Sequence, residues 1–352
     1  WPRPRSFRST WLPPAHAGAP AAASAVLSAL VVKGSWFLVV RLWFDVMPGV
    51  VTFSAAQVLG ALGAGAIVLG SVVALRQERL KLLVAYSTMA QIGYLFLMFP
   101  LAFDAAGQLS APAPAVAGGL LQVVSHATAK AGMFMAAGLI YAALGHDRIG
   151  ELAGVGRAMP VATLALAVAG VALMGVLPSS AYVAKKLMLD AADASGQWWW
   201  TLVLQGGAVF TAGYVVLTLF SVMRRAPATV RLRTRVSPLA EWVALALSLA
   251  SLLLVFAVPA IPEASPVGGL ASETLVMLFA LGLGGALLVY GLSTQTWGGP
   301  GTADRPLRRV GAALGALFAG ADDLVRRWST ATASLLLLVM LLGGLLLAGQ
   351  PG

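Results

Sequence analysis

GVLPSSAYVAKKL, residues 175–187, sits inside a long apolar run that begins near Pro160 and fades at Asp190 and Asp193. A proline removes a backbone donor and its ring clashes with the preceding turn, so a helix carrying Pro178 breaks or kinks there. Ser179 and Ser180 widen the interruption, and Lys185 and Lys186 follow within two turns. Broken backbone at membrane depth survives only against protein or a water-filled cavity. An ammonium at that depth costs from ~3 to over ~10 kcal/mol, so it ordinarily marks an ion pathway. The stretch therefore predicts a membrane bundle with one discontinuous helix near Pro178.

Composition extends this reading to the whole chain. Hydrophobic residues make up 59% of the 352 and charged ones 10%, against roughly a quarter charged in a soluble domain. The net charge of +10 does not imply nucleic acid, because the arginines sit in short loops between apolar runs and no folded basic domain carries them. The expected surroundings are the lipid bilayer. The absence of cysteine rules out disulfides, thiol chemistry and iron–sulfur ligation within this chain. Three widely spaced histidines are a poor basis for haem or metal, so no cofactor or metal site is expected. The chain starts at Trp1 with a basic, proline-containing stretch in place of a signal peptide, and reads as a fragment or truncated product.

Apolar runs of spanning length, ~20 residues, occur at about 23–44, 52–75, 82–103, 115–143, 160–194, 199–223, 240–261, 271–293 and 332–349. The expected fold is all-α and polytopic, with nine crossings. The long fourth and fifth runs are expected to be irregular or broken. Residues 1–22 read as an N-terminal remnant, 23–261 as the membrane core, and 262–352 as an extension with two further spans. Between those two spans, Leu307, Val310, Leu314, Leu317, Ala321, Leu324 and Trp328 recur every three or four positions. That spacing predicts an amphipathic helix over 305–328 lying on the membrane surface; a solvated loop helix is the alternative.

Eighteen of the 23 basic residues fall in one alternating set of loops, around Arg3, Arg76, Arg148, Arg224 and Arg305. The other set holds Arg41 beside Asp45, Asp104, Asp190, Asp193 and Glu263. Positive-inside then predicts a multi-pass protein with the arginine-rich loops cytoplasmic and the C-terminus outside.

No nucleophile–base pair, phosphate loop or catalytic cluster is visible, which leaves proton chemistry inside the membrane. Lys33, Lys130, Lys185 and Lys186 lie within apolar runs, and His126 and Lys130 are four apart on one helix face. An amine held away from water suits the loading and release of protons. Lys185 and Lys186 point about 100° apart around a helix, so one of them faces any interior path. Tyr86, Ser87, Thr88 and Gln91 form a polar interruption in the third span, readable as a proton path or as helix–helix hydrogen bonding. Snorkelling to the headgroups is the plain alternative for Lys186, and to a lesser degree for Lys33 and Lys130. His16 and His146 read as solvated loop histidines.

Four segments carry a resemblance. WLPPAHAGAPAAASAVLSALVVKGSWFLVVR, RQERLKLLVAYSTMAQIGYLFL, SHATAKAGMFMAAG and GVLPSSAYVAKKLML are similar, in order and spacing, to motifs of the antiporter-like subunits of respiratory complex I. Mrp-type sodium/proton antiporters and membrane-bound hydrogenases have subunits of the same family. The resemblance covers about residues 11–190 and implies a core of fourteen helices in inverted repeats, with this chain starting just before the eighth. By resemblance, Lys33 falls on the central lysine of the eighth helix, and His126 and Lys130 on the histidine and lysine of the eleventh. Lys185 falls on the terminal charged residue of the broken twelfth, and Gln91 on a position that is histidine or glutamine. Pro14 replaces the family's aspartate, the seventh-helix lysine would land on Pro2, and the fifth-helix glutamate would lie upstream of Trp1. The uptake half of the family's proton path is thus not expected here.

The resulting expectation is a proton-translocating membrane subunit of a redox-driven complex, either NADH-quinone oxidoreductase or a membrane-bound hydrogenase. It would work through Lys33, His126, Lys130 and Lys185 among other membrane subunits. Quinone, iron–sulfur or nickel centres would belong to partner subunits. The alternatives are a subunit of an Mrp-type antiporter moving protons and sodium, and a truncated or scaffold subunit without transport of its own.

Overall fold

The structure, a computed structural model, describes residues 12–110, 114–226 and 230–257. The expected spans at 271–293 and 332–349, the surface helix at 305–328 and the C-terminus lie outside the described residues. Within them the chain is helical: α1 (Leu12–Gly18), α2 (Ala21–Val26), α3 (Val32–Arg41), α4 (Phe53–Leu75), α5 (Leu80–Leu101), α6 (Pro114–Leu144), α7 (Val155–Ala158), α8 (Pro160–Met174), α9 (Ser180–Ala194), α10 (Trp198–Met223) and α11 (Pro238–Ala257). Six stretches are long and apolar enough to cross a membrane, and α8 is a shorter apolar helix. Each of the first seven expected runs has its counterpart, the fifth as the pair α8–α9.

The break between α8 and α9 has local causes. Pro160 starts α8 at a position that needs no amide donor. Gly175 ends it with φ 76, where only glycine sits without strain. Ser179 then caps α9, its hydroxyl accepting from the Tyr182 amide at 3.2 Å. The Leu177–Pro178 peptide between them is cis. The fourth run departs from expectation: α6 is one unbroken helix of 31 residues. It has no internal proline, and its glycines lie against neighbouring helices, so its length needs no break. The irregularity falls instead in the first span, Ala21–Val46, where π turns at Leu27–Val31 and Leu42–Val46 interrupt α2 and α3.

α5 and α6 form the centre of the bundle, and most of α5 is buried. α4 lies against α5 backbone to backbone, because Gly63, Gly70 and Gly93 present no side chain between them. The arginine loops gather at one end. There Arg79 pairs with buried Asp147 at 2.8 Å, and the Lys81 amide donates to the other oxygen of Asp147 at 3.1 Å. Arg224 donates to the Gly150 carbonyl at the same end. At the opposite end Gln197 ties the bundle: it accepts from Gln57 at 2.7 Å and donates to the Pro100 carbonyl at 3.0 Å.

Candidate functional site

A row of buried polar groups runs through the apolar bundle from α3 to α9. Lys33 opens it, buried at the start of α3, its Nζ donating to the Ser28 carbonyl inside the π turn. A π turn widens the helix and shifts its carbonyls, a device common at functional sites. Ser28 Oγ shares a hydrogen bond with Thr88 Oγ1 at 3.1 Å, which carries the row onto α5. The Val84 carbonyl there accepts from Thr88 at 3.0 Å, from Ser87 at 2.9 Å and from Lys130 Nζ at 3.3 Å. Lys130 also donates to Ser87 Oγ, and its side chain is wholly buried.

On α6, His126 and Gln122 stand one and two turns before Lys130. Neither ring nitrogen of buried His126 meets a protein partner, which leaves both open to a proton donor or acceptor. Gln122 donates to Gln91 at 3.1 Å, and Gln91 donates to Thr211 at 3.1 Å and to the Tyr214 hydroxyl at 3.0 Å. Beyond them Tyr94 lies under Lys185, whose Nζ sits 5.1 Å from the ring centroid. Lys185 donates to the carbonyls of Met174 at 3.1 Å and Leu173 at 3.4 Å, at the C-terminal end of α8. Gly175 makes room for it: a Cβ there would stand 3.2 Å from Nζ.

The structure thus brings Lys33, Ser87, Thr88, Gln91, His126, Lys130 and Lys185 into one row. Lys186 is not in it. The side chain is about half exposed and pairs with Asp190 at 2.8 Å, one turn on, as the 100° offset from Lys185 requires. Tyr86, on α5, is buried among the apolar side chains of the core. Sequence reading missed Ser28, Gln122, Thr211, Tyr214 and Tyr94. Gln122 had a signal, since 122, 126 and 130 share the helical spacing of four. Ser28 had none, because only the π turn places it beneath Lys33.

His16 corrects the expectation of a solvated histidine. It is buried in α1, outside the spans, and its ring stacks on Phe134 at 4.3 Å. α1 packs against α5 and lays the ring on Phe134 of α6 instead of leaving it in water. His146 does stay partly exposed, beside Glu151 at 3.6 Å. Burial, then the charges of Lys130, Lys81 and Lys33, lower the His16 pKa from 6.5 to about 4. The unfolded chain therefore takes up this proton at a higher pH than the folded one. The His16 contribution to stability is whole above pH 6.5 and is lost as pH falls towards 4. Thermal unfolding in detergent should show that loss, and His16→Phe, which keeps the stack, should flatten it. An unchanged pH slope in the variant would count against this account.

The row mixes amines and an imidazole, which exchange protons, with hydroxyls that can relay them and carboxamides that only orient. The ion pairs among the described residues, Arg41–Asp45, Arg79–Asp147, Arg148–Glu151, His146–Glu151 and Lys186–Asp190, involve none of Lys33, Lys130 and Lys185. No group of acidic residues and histidines among the described residues could hold a metal ion.

Residues 4–211 match the transmembrane family of NADH:quinone oxidoreductase and Mrp antiporter. The chain belongs to that family. It is accordingly a multi-pass membrane protein, an antiporter-like member of the family. NADH-quinone oxidoreductase subunit N of Desulforudis audaxviator is 31% identical over 205 residues, 58% of this chain and 39% of the relative. A probable K(+)/H(+) antiporter subunit from Rhizobium meliloti is 39% identical over 184 residues, 52% of this chain and 17% of the relative. The chain thus spans well under half the length of these antiporter-family relatives. A chain in the structure of the Mrp complex from Dietzia superposes with a TM-score of 0.60 at 20% identity, covering 81% of this chain and 56% of that one. That likeness carries the fold.

Proposed function

We propose that the chain is the proton-translocating membrane subunit of a redox-driven complex, of the NADH-quinone oxidoreductase or membrane-bound hydrogenase kind. One observation carries the reading: Lys33, Lys130, Lys185 and His126 are all buried in a single polar row, and no ion pair among the described residues includes any of them. Such groups are too costly to keep at membrane depth for packing alone. Lys33, His126 with Lys130, and Lys185 pass the proton along the row, and the charge on one biases the next. Quinone, iron–sulfur or nickel centres lie in partner subunits, and electron flow there drives the relay. The membrane is the bacterial cytoplasmic membrane with the arginine end inward; gathering of those loops at one end supports this.

Lys33→Ala and Lys185→Ala are each expected to lower proton translocation by ~10-fold or more in reconstituted complex. Translocation intact in both variants would overturn the relay. A second reading, membership of an Mrp-type antiporter complex, is favoured by the 39% identity to the K(+)/H(+) antiporter relative. Purification separates the two: iron–sulfur or nickel proteins accompany the chain under the first reading, and only membrane proteins under the second.

A further inference from the structure

Between Lys130 on α6 and Lys185 on α9 the row passes through two glutamines, and a carboxamide orients neighbours without carrying a proton. Hydroxyls must bridge that gap. Tyr214 is already in the network, accepting from Gln91 at 3.0 Å and donating to Thr211 at 3.2 Å. Tyr94 stands between that network and Lys185, its ring under the Lys185 Nζ. It is fully buried, and its hydroxyl faces Thr211 with Tyr214 beside it, in a contact looser than the bonds within that network. Phenylalanine would fill the same space without the cost of a loosely paired buried hydroxyl.

We propose that Tyr94 is the carrier that joins the Gln91–Tyr214 network to Lys185. The inference rests on the relay described under the proposed function. The Thr211 O–H bond breaks as its proton bonds to the Tyr94 oxygen, and the Tyr94 O–H proton passes to the neutral Lys185 amine. Thr211 takes a proton in turn from Tyr214, which is reprotonated from the row. Rotation of the hydroxyl about its C–O bond then resets it. No electrons move, and the step runs in either direction. Lys185 reaches the hydroxyl by leaving the Leu173 and Met174 carbonyls, for its stem has four rotatable bonds and its Nζ already sits over the ring.

The test uses the full-length chain in its native complex, in inverted membrane vesicles driven by the complex's own reaction. Tyr94→Phe is expected to lower translocation ~10-fold or more while the unfolding temperature stays equal or rises. Gly207→Ala gives a second handle, because a Cβ there would meet the Tyr94 hydroxyl and stand 2.9 Å from Cζ. It moves the hydroxyl while every relay side chain is retained, and translocation should fall again. Full translocation in Tyr94→Phe, with Lys185→Ala inactive, would remove Tyr94 from the path and leave the relay standing. Full translocation in both would mean the relay itself is wrong. Loss in Tyr94→Phe together with a lowered unfolding temperature would make the hydroxyl a structural group and overturn the proposal.

Discussion

Lys130→Met is expected to abolish proton translocation, by ~10²-fold or more, in a complex that still assembles. Lys130 is wholly buried near the middle of α6 and bound to Ser87, to the Val84 carbonyl and, at 3.9 Å, to the Met133 sulfur. Methionine has a similar length and an apolar tip, so the site stays filled. No carboxylate loses a partner, since no ion pair among the described residues includes Lys130, and Ser87 keeps its bond to Val84 at 2.9 Å. The energy of the fold is then little changed while the row loses the amine that links its two halves. Lys130→Arg should not rescue, because a guanidinium holds its proton permanently and is too broad for the site. Dye quenching in inverted vesicles measures the translocation, and native electrophoresis the assembly. Undiminished quenching in an assembled Lys130→Met complex would refute the role.

The second large effect is on folding. Gly93→Leu should leave little chain in the membrane, whereas Gly65→Leu, on the same face-to-face helix pair, should accumulate normally. A Cβ on Gly93 would meet the Gly63 carbonyl oxygen and stand 2.8 Å from Ile67 Cγ1 and 2.9 Å from the Ile67 nitrogen. A Cβ on Gly63 would stand 2.6 Å from the Gly93 oxygen. Overpacking costs ~1–3 kcal/mol where side chains can yield. Backbone atoms of two long helices cannot, so the cost falls at or above the upper end. Small residues are what allow membrane helices such a close approach. Gly65 meets nothing within 4 Å. Separation of α4 from α5 would also displace Ser87, Thr88, Gln91 and Tyr94, so any surviving protein should be inactive. Equal yields of the two variants, with equal unfolding temperatures, would count against the close packing.

Much of this was legible in the residues. Pro178 with its two serines marked the broken helix, since a missing donor and a steric clash act locally whatever surrounds them. The loop arginines assigned Arg79, Arg148 and Arg224 to one end, and the structure gathers them there. Spacing of four put His126 and Lys130 on one face, and a single 100° step separated Lys185 from Lys186. Where the reading erred, a local rule was overridden at a distance. His16 looked solvated because it lies outside the apolar runs, yet Phe134, 118 positions along, buries it.

Helix positions, the break and the costly lysines are thus properties of the chain itself, because backbone donors and buried charges exact their cost from near neighbours and from the bilayer. Which polar groups meet was decided by tertiary packing alone. Ser28 reaches Thr88 through a π turn, Gln91 reaches Thr211 across 120 positions, and Lys185 reaches Tyr94 only where the broken helix folds back against α5. The polar row from Lys33 to Lys185 belongs to no stretch of sequence; it forms only where α3, α5, α6, α9 and α10 pack together.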